Sequence, residues 1–368
     1  MLALSLCALA ALPAYASTAK HTHKHGKARA ETPGPRYATR PDAMREADAI
    51  AARLQLDRQW VRQAIGQARR MPSVVKAILP PAVGVPKNWA LYRSRFIEPV
   101  RIQAGLRFWL ANRDTLQRAQ ERFGVPPEIV VGILGVETLY GKQTGGYRVM
   151  DALCTLAFDF PKAHPKAAAR SAYFRSELQA YLALTARTHT EPLALRGSYA
   201  GAMGWPQFMP SSWSQYAIDF DGDGQIDLFN NQADIIGSVA NYFKAFHWQA
   251  GLPTHFAARL DTDPQQPPSA QDKADLLAAD VLPSFTLEQL RAKGVQADAA
   301  SAGFTGKLAL IELQNGEDPP DYVLGTDNFY AITRYNWSAY YAMAVIELGQ
   351  AVARAVASQE TPPASMPK

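Results

Sequence analysis

The sequence has 368 residues, 48% hydrophobic and 19% charged, which is enough apolar material for two or three packed subdomains and excludes a disordered or fibrous chain. Its net charge of +5 is concentrated between Ser17 and Arg40, where Lys20, Lys24, Lys27, Arg29, Arg36 and Arg40 face only Glu31. The remainder is near neutral, which argues against a basic nucleic-acid-binding surface, and no later apolar run approaches the roughly 20 residues of a membrane-spanning helix.

The chain opens with MLALSLCALAALPAYAS, apolar from Leu2 to Pro13 and followed by Ala14-Tyr15-Ala16, a small-x-small cleavage pattern. Residues 1–16 therefore read as an export signal, although its usual positive start is missing; a buried N-terminal helix is the competing reading. Cys7 follows Leu6 rather than a small residue, so a soluble periplasmic protein is expected and a lipid anchor is not. The mature chain then keeps a single cysteine, Cys154, which cannot form an intramolecular disulfide and reads as a buried apolar residue. Residues 17–41 read as a basic, flexible leader ending in Pro33, Pro35 and Pro41, and its His21, His23 and His25 are assigned no metal.

AMREADAIAARLQLDRQWVRQAIGQARR has apolar residues at three- and four-residue spacing and predicts a pair of amphipathic helices. VRIQAGLRFWLANRDTLQRAQERFG predicts a further helical run capped by Gly124, and these stretches delimit an outer α domain over 42–120. A core domain is expected over 121–250. It begins with GVPPEIVVGILGVETLYG, whose prolines suit a helix first turn and which closes on Gly141; helical patterns return at SAYFRSELQAYLALTAR and DIIGSVANYFKAF. From 251 to 327 the composition turns to Pro, Asp, Gln and Ala with strand-like KLALIELQNG and DYVLG, predicting a small β-containing insertion. WSAYYAMAVIELGQAVARAVA returns to helix, so the core resumes over 328–355, before a flexible C-terminus at 356–368. The expected fold class is mainly α, of α+β type.

Glu137 stands out chemically. It lies four residues after Ile133 and three after Leu134, so it projects from the apolar face of its helix. Burial there disfavours the ionised form and raises the pKa, as glycoside cleavage requires of a proton donor near neutral pH. The competing reading is a glutamate satisfied by a nearby arginine or a helix N-terminus. The stretch SYAGAMGWPQFMPSSW is too irregular for one helix. It can present Ser198 and Gln207 to a polar ligand while Trp205, Phe208 and Met209 pack or stack, a mixture that suits sugar rings.

DFDGDGQIDLFN, residues 219–230, opens like a calcium loop: Asp219, Asp221 and Asp223 at alternate positions, Gly224 at the turn, the Gln225 carbonyl, and Asp227 at the ninth position. The twelfth position is Asn230 where a glutamate is usual, and Asp234 is the candidate substitute. Clustered carboxylates repel unless a cation neutralises them, so a structural Ca²⁺ is expected, with an ion-free polar turn as the other reading.

With these motifs in order, together with GSVANYFKAFHW and NFYAITRYNWSAYYAMAV, the chain resembles the membrane-bound lytic murein transglycosylase B family from about Asp42 to Ala353. The resemblance implies an outer α domain, a lysozyme-like core and a late β insertion. It implies a lyase acting on peptidoglycan glycan strands, with Glu137 as both acid and base and no cofactor for the chemistry. It also implies that Ser198 and Asn336 steady the reacting sugar, that Gln207 binds saccharide, and that Tyr92, Tyr242, Tyr335 and Tyr341 wall the groove. The protein is expected to act as a monomer. Two departures are visible: PKAHPKAAARS follows Pro161 where the family often has adjacent arginines, leaving Lys162 and Arg170 as candidates, and Trp205-Pro206 stands where Tyr-Gly is frequent. A hydrolase in which water attacks, and a noncatalytic wall-binding protein, are the alternative functions.

Overall fold

The computed structural model describes residues 33–80, 86–260 and 269–360. The expected export signal, the leader as far as Thr32 with its three histidines, and residues 361–368 lie outside the described residues. The chain forms two compact units, each built from separate stretches.

One unit contains 33–80 and 144–215. Its amphipathic pair forms helices Pro41–Leu54 and Arg58–Gln67, burying Ala43, Ala47 and Ile50 on one and Val61, Ala64 and Ile65 on the other. Asp57 caps the second by accepting the Trp60 N–H. The leader ends earlier than its composition suggests. Tyr37 is 1% exposed and donates to Asp159 at 2.6 Å, so burial of one aromatic ring ties down the stretch before Pro41. Helix Val149–Phe158 is buried along nearly its whole length. Its two polar groups are paired, Asp151 accepting from Arg69 N–H at 2.9 Å and Thr155 from Met71 N–H at 3.0 Å. It packs on the long helix Ala167–Arg187. Strands β1 (Tyr147–Arg148) and β2 (Arg196–Gly197) pair antiparallel and open the irregular loop that ends on helix Pro210–Tyr216.

The other unit contains 86–143 and 216–360. The run predicted to end at Gly124 divides into helices Pro99–Ala111 and Arg113–Phe123. Asn112 makes the break: its side chain donates to the Phe108 carbonyl at 2.8 Å, competing with helix continuation. Helix Pro127–Thr138, hereafter the acid helix, packs along the C-terminal helix Ala339–Glu360. Two glycines permit this approach. A Cβ on Gly132 would fall 2.2 Å from the Val345 carbonyl oxygen, and one on Gly349 would fall 2.0 Å from that of Glu128. The C-terminal helix runs to Glu360, beyond the expected flexible boundary at 356, because Val356 (6% exposed) still packs.

Four strands form a second sheet: β3 (His255–Leu260), β4 (Val295–Ala297), β5 (Ala309–Asn315) and β6 (Asp318–Gly325). The order is β4-β3-β6-β5, all antiparallel, and every strand falls within 251–327. Phe256, Leu310 and Leu324 meet Leu276 and Leu290 from helices Ala270–Leu277 and Leu287–Ala292 in a small core. Among the described residues no helix is long and apolar enough to cross a membrane.

Candidate active site

The acid helix is apolar on nearly every side, with Ile129 through Gly135 all buried, so it lies within its unit rather than on a wet face. It ends abruptly in three left-handed residues, Leu139 (φ 50°), Tyr140 (φ 54°) and Gly141 (φ 82°). The Arg101 guanidinium donates to the Gly135 carbonyl, satisfying one of the last-turn acceptors and meeting the negative end of the helix dipole. Glu137 occupies this last turn. Burial pushes its carboxyl up to about 7, and the one opposing influence is the Tyr341 hydroxyl, which donates to Oε1 at 2.5 Å. No arginine or lysine pairs with it among the described residues, so the satisfied-glutamate reading lacks its partner. A carboxyl poised near neutral pH can give a proton and later take one back.

The tyrosines form layers behind that bond. Tyr341 stacks on Tyr335 at 6.4 Å, Tyr335 meets Tyr242 at 4.8 Å, and Tyr242 meets Tyr216 edge-on at 5.0 Å. Tyr341, Tyr335 and Tyr242 are 3%, 2% and 1% exposed. Tyr242, expected on a groove wall, therefore packs inside, and its hydroxyl donates to the Arg334 carbonyl at 2.6 Å. Tyr92 is half-buried and lies on the short helix Trp89–Arg93, with its ring against Phe96 and Tyr340. Burial and then the charge of Glu137 push its phenol up to about 12. Asn336 ends helix Asp327–Tyr335, and its buried Oδ1 has no hydrogen-bond partner among the described residues. A buried amide acceptor left bare is a ready receptor for an N–H donor.

Ser198 and Gln207 belong to the other unit. Ser198 Oγ accepts from the Ala200 and Ala202 N–H groups at 3.3 and 3.0 Å, so the serine shapes its own loop. Gln207 is left-handed (φ 52°) and donates through Nε2 to the Thr144 and Gly204 carbonyls at 3.1 and 2.9 Å. Phe208 and Met209 are buried, and Trp205 is half-buried. In the stretch after Pro161, Lys162 is exposed, whereas Arg170 lies over the rings of Tyr173 and Phe174 with its buried Nε lacking a hydrogen-bond partner among the described residues.

The aspartate loop brings Asp219, Asp221 and Asp223 together, one oxygen of each lying within 4.8 Å of the others. Asp219 accepts backbone N–H groups from Gly222, Asp223 and Gly224, which hold its carboxyl below the ordinary range. This set of hard oxygen donors fits Ca²⁺. Gln225 is exposed, and its N–H donates to Asp223. The other two expected ligands lie outside this cluster. Asp227 accepts from the Phe229 and Asn230 N–H groups, and buried Asp234 clasps the loop's ends by accepting from Phe220 and Asp227 N–H at 2.8 Å each.

Sequence reasoning missed Glu177 and Trp337. Glu177 is 2% exposed and accepts from Ser211 N–H and Oγ at 3.0 and 2.7 Å, anchoring the exit of the Ser198 loop. Its signal was available, since it stands three residues after Phe174 and four before Tyr181 on an apolar face. Trp337 is 40% exposed yet fixed, its Nε1 donating to Asp280 at 2.9 Å beneath the Arg334 guanidinium. Nothing in the sequence pairs positions so far apart.

Residues 39–350 match the family described as transglycosylase SLT domain. The chain is 40% identical over 328 residues to membrane-bound lytic murein transglycosylase B of Escherichia coli strain K12, covering 87% of this chain and 84% of that protein. The structure of the Escherichia coli lytic transglycosylase Slt35 in complex with calcium is similar with a TM-score of 0.75 and 40% identity, over 88% of this chain and 96% of that one. SltB3 of Pseudomonas aeruginosa in complex with NAG-anhNAM-pentapeptide is similar with a TM-score of 0.68 and 28% identity, over 84% of this chain and 79% of that one.

Proposed function

We propose, on the premise that this chain belongs to the transglycosylase SLT family and is a lytic murein transglycosylase, that Glu137 is its single catalytic acid and base. The carboxyl of Glu137 donates its proton to the glycosidic oxygen between N-acetylmuramic acid and N-acetylglucosamine as the bond from that oxygen to muramic C1 breaks. The resulting carboxylate then takes the proton of the muramic C6 hydroxyl while O6 bonds to C1. The products are a 1,6-anhydro end and a free N-acetylglucosamine hydroxyl; water contributes no atom.

The observation that carries this reading is the Glu137 carboxyl, raised to about 7 by burial and touched by one tyrosine hydroxyl. No second carboxylate acts on it among the described residues, whereas an ordinary glycosidase uses two. The bare Oδ1 of Asn336 suits the N–H of the sugar's acetamido group, and Tyr92 gives the site an aromatic face. Ser198 and Gln207 are read as saccharide-binding groups, with Tyr335 and Tyr242 supporting Tyr341 from behind. Asp219, Asp221 and Asp223 would hold a structural Ca²⁺, a reading supported by the relative solved with calcium. A murein substrate is consistent with export to the periplasm.

The test is mass spectrometry of muropeptides released from purified sacculi by wild type and by Glu137→Gln. Anhydromuropeptides from the wild type alone are expected. Reducing ends that have gained water would make this a hydrolase, and equal release by both proteins would remove Glu137 from the chemistry.

A further inference from the structure

We infer that Asn315, at the tip of the β5–β6 hairpin, is a positioning residue that holds Tyr92 beside Glu137, so that the β insertion acts on the reaction through one short helix. The inference rests on Glu137 being the acid.

Helix Trp89–Arg93 has five residues, far below the length at which a helix sustains itself. Its first-turn N–H groups therefore need outside acceptors. Asn88 supplies one, accepting from Leu91 N–H at 2.8 Å, and Asn315 Oδ1 supplies another, accepting from Ala90 N–H at 3.0 Å. Asn315 is itself braced: its Nδ2 donates to the Pro319 carbonyl at 3.2 Å and to Asp321 at 3.3 Å. The register of β5 against β6 shifts between Leu313 and Asn315, and such an irregularity re-aims a side chain out of the ladder. The backbones are joined as well. Gly316 N–H donates to the Lys87 carbonyl at 2.9 Å, and Asn88 Nδ2 donates to the Asn315 carbonyl at 3.4 Å.

The same tip reaches the helix that carries Tyr341. Tyr340 donates to the Gln314 carbonyl at 2.8 Å, and its ring stands edge-on to both Trp89 and Tyr92, at 5.7 and 5.8 Å. Tyr92 lies two residues after the capped Ala90, and its ring meets that of Tyr340, the chain neighbour of the Tyr341 whose hydroxyl donates to Glu137; the Glu137 charge in turn helps raise the Tyr92 phenol. The insertion's own core, Phe256, Leu310, Leu324 and their neighbours, makes no use of the Asn315 side chain. Removing that side chain therefore frees the short helix without unpacking the sheet.

The experiment compares Asn315→Ala, Tyr92→Leu and the double variant in turnover of solubilised glycan strands, with melting temperature and hydrogen exchange of amides 89–93 alongside. Asn315→Ala is expected to lower kcat/KM about fivefold, the scale of one lost helix cap. Amides 89–93 should exchange faster while the acid helix keeps its protection. The basic limb of the pH profile should move to lower pH, since water reaching Glu137 favours its ionised form. In the Tyr92→Leu background the Asn315 substitution should add no further loss, because both changes act on one contact. A full additional loss in the double variant, or unchanged turnover or exchange in Asn315→Ala, overturns the inference. Failure of wild type to release anhydro ends would overturn the function proposed above, and the exchange measurement would still decide whether Asn315 holds the helix.

Discussion

Replacing Glu137 by glutamine should stabilise the fold, and only above acidic pH. In the unfolded chain the carboxyl has its ordinary value of 4.5; in the folded chain burial raises it to about 7. Below 4.5 both states hold the proton, and the residue makes no pH-dependent difference. Between 4.5 and 7 the unfolded chain releases a proton that the folded chain keeps, so stability falls as pH rises. Above 7 the full penalty is present. At about 1.4 kcal/mol per pH unit it amounts to about 3 kcal/mol. Glutamine has nearly the same shape, its amide oxygen can still accept from Tyr341, and it never ionises. Urea unfolding of both proteins from pH 4 to 8.5, at one fixed calcium concentration, measures the difference. The gap should be smallest near pH 4 and widen by about 3 kcal/mol by pH 8. A gap that stays constant across that range would refute the assignment of a buried, raised carboxyl, whatever the variant does to activity.

Turnover should follow the protonated carboxyl: kcat/KM for anhydromuropeptide release falls as pH rises through about 7, and a profile flat from pH 5 to 9 would count against the acid. Tyr341→Phe removes the one hydrogen bond that holds the carboxyl down, so the basic limb of that profile should move to higher pH; a downward move contradicts the reasoning. Gly132→Ala forces a methyl group against the Val345 carbonyl and should lower stability by about 1–3 kcal/mol, read by urea unfolding, with turnover lost as the Tyr341 helix is pushed away. Calcium should raise the wild-type melting temperature by mass action, and Asp221→Ala should abolish that response; an equal response in both proteins would place the ion elsewhere.

Much of this was legible in the chain because its signals are local. Helix periodicity placed the paired helices at Pro41–Leu54 and Arg58–Gln67, and the strand-like KLALIELQNG and DYVLG lie where β5 and β6 form. What escaped was set by partners distant in sequence. The break at Asn112 depends on a side chain choosing the Phe108 carbonyl. Tyr37 anchors the end of the leader because Asp159, 122 residues away, accepts its hydroxyl. Asp234, a plausible ligand by spacing, turned inward to accept two loop N–H groups.

The clearest division lies between two glutamates. Periodicity puts both Glu137 and Glu177 on apolar helix faces, a signal read for Glu137 and missed for Glu177, and burial on either face raises a carboxyl. Only the tertiary structure decided which donors each carboxyl meets. Glu177 receives an N–H and a hydroxyl from Ser211 and is occupied in holding a loop. Glu137 receives one hydroxyl, from a tyrosine 204 residues later in the chain. Burial can be read from a residue's near neighbours along a helix, but the donors that stabilise or spare its charge come from wherever the fold brings another segment.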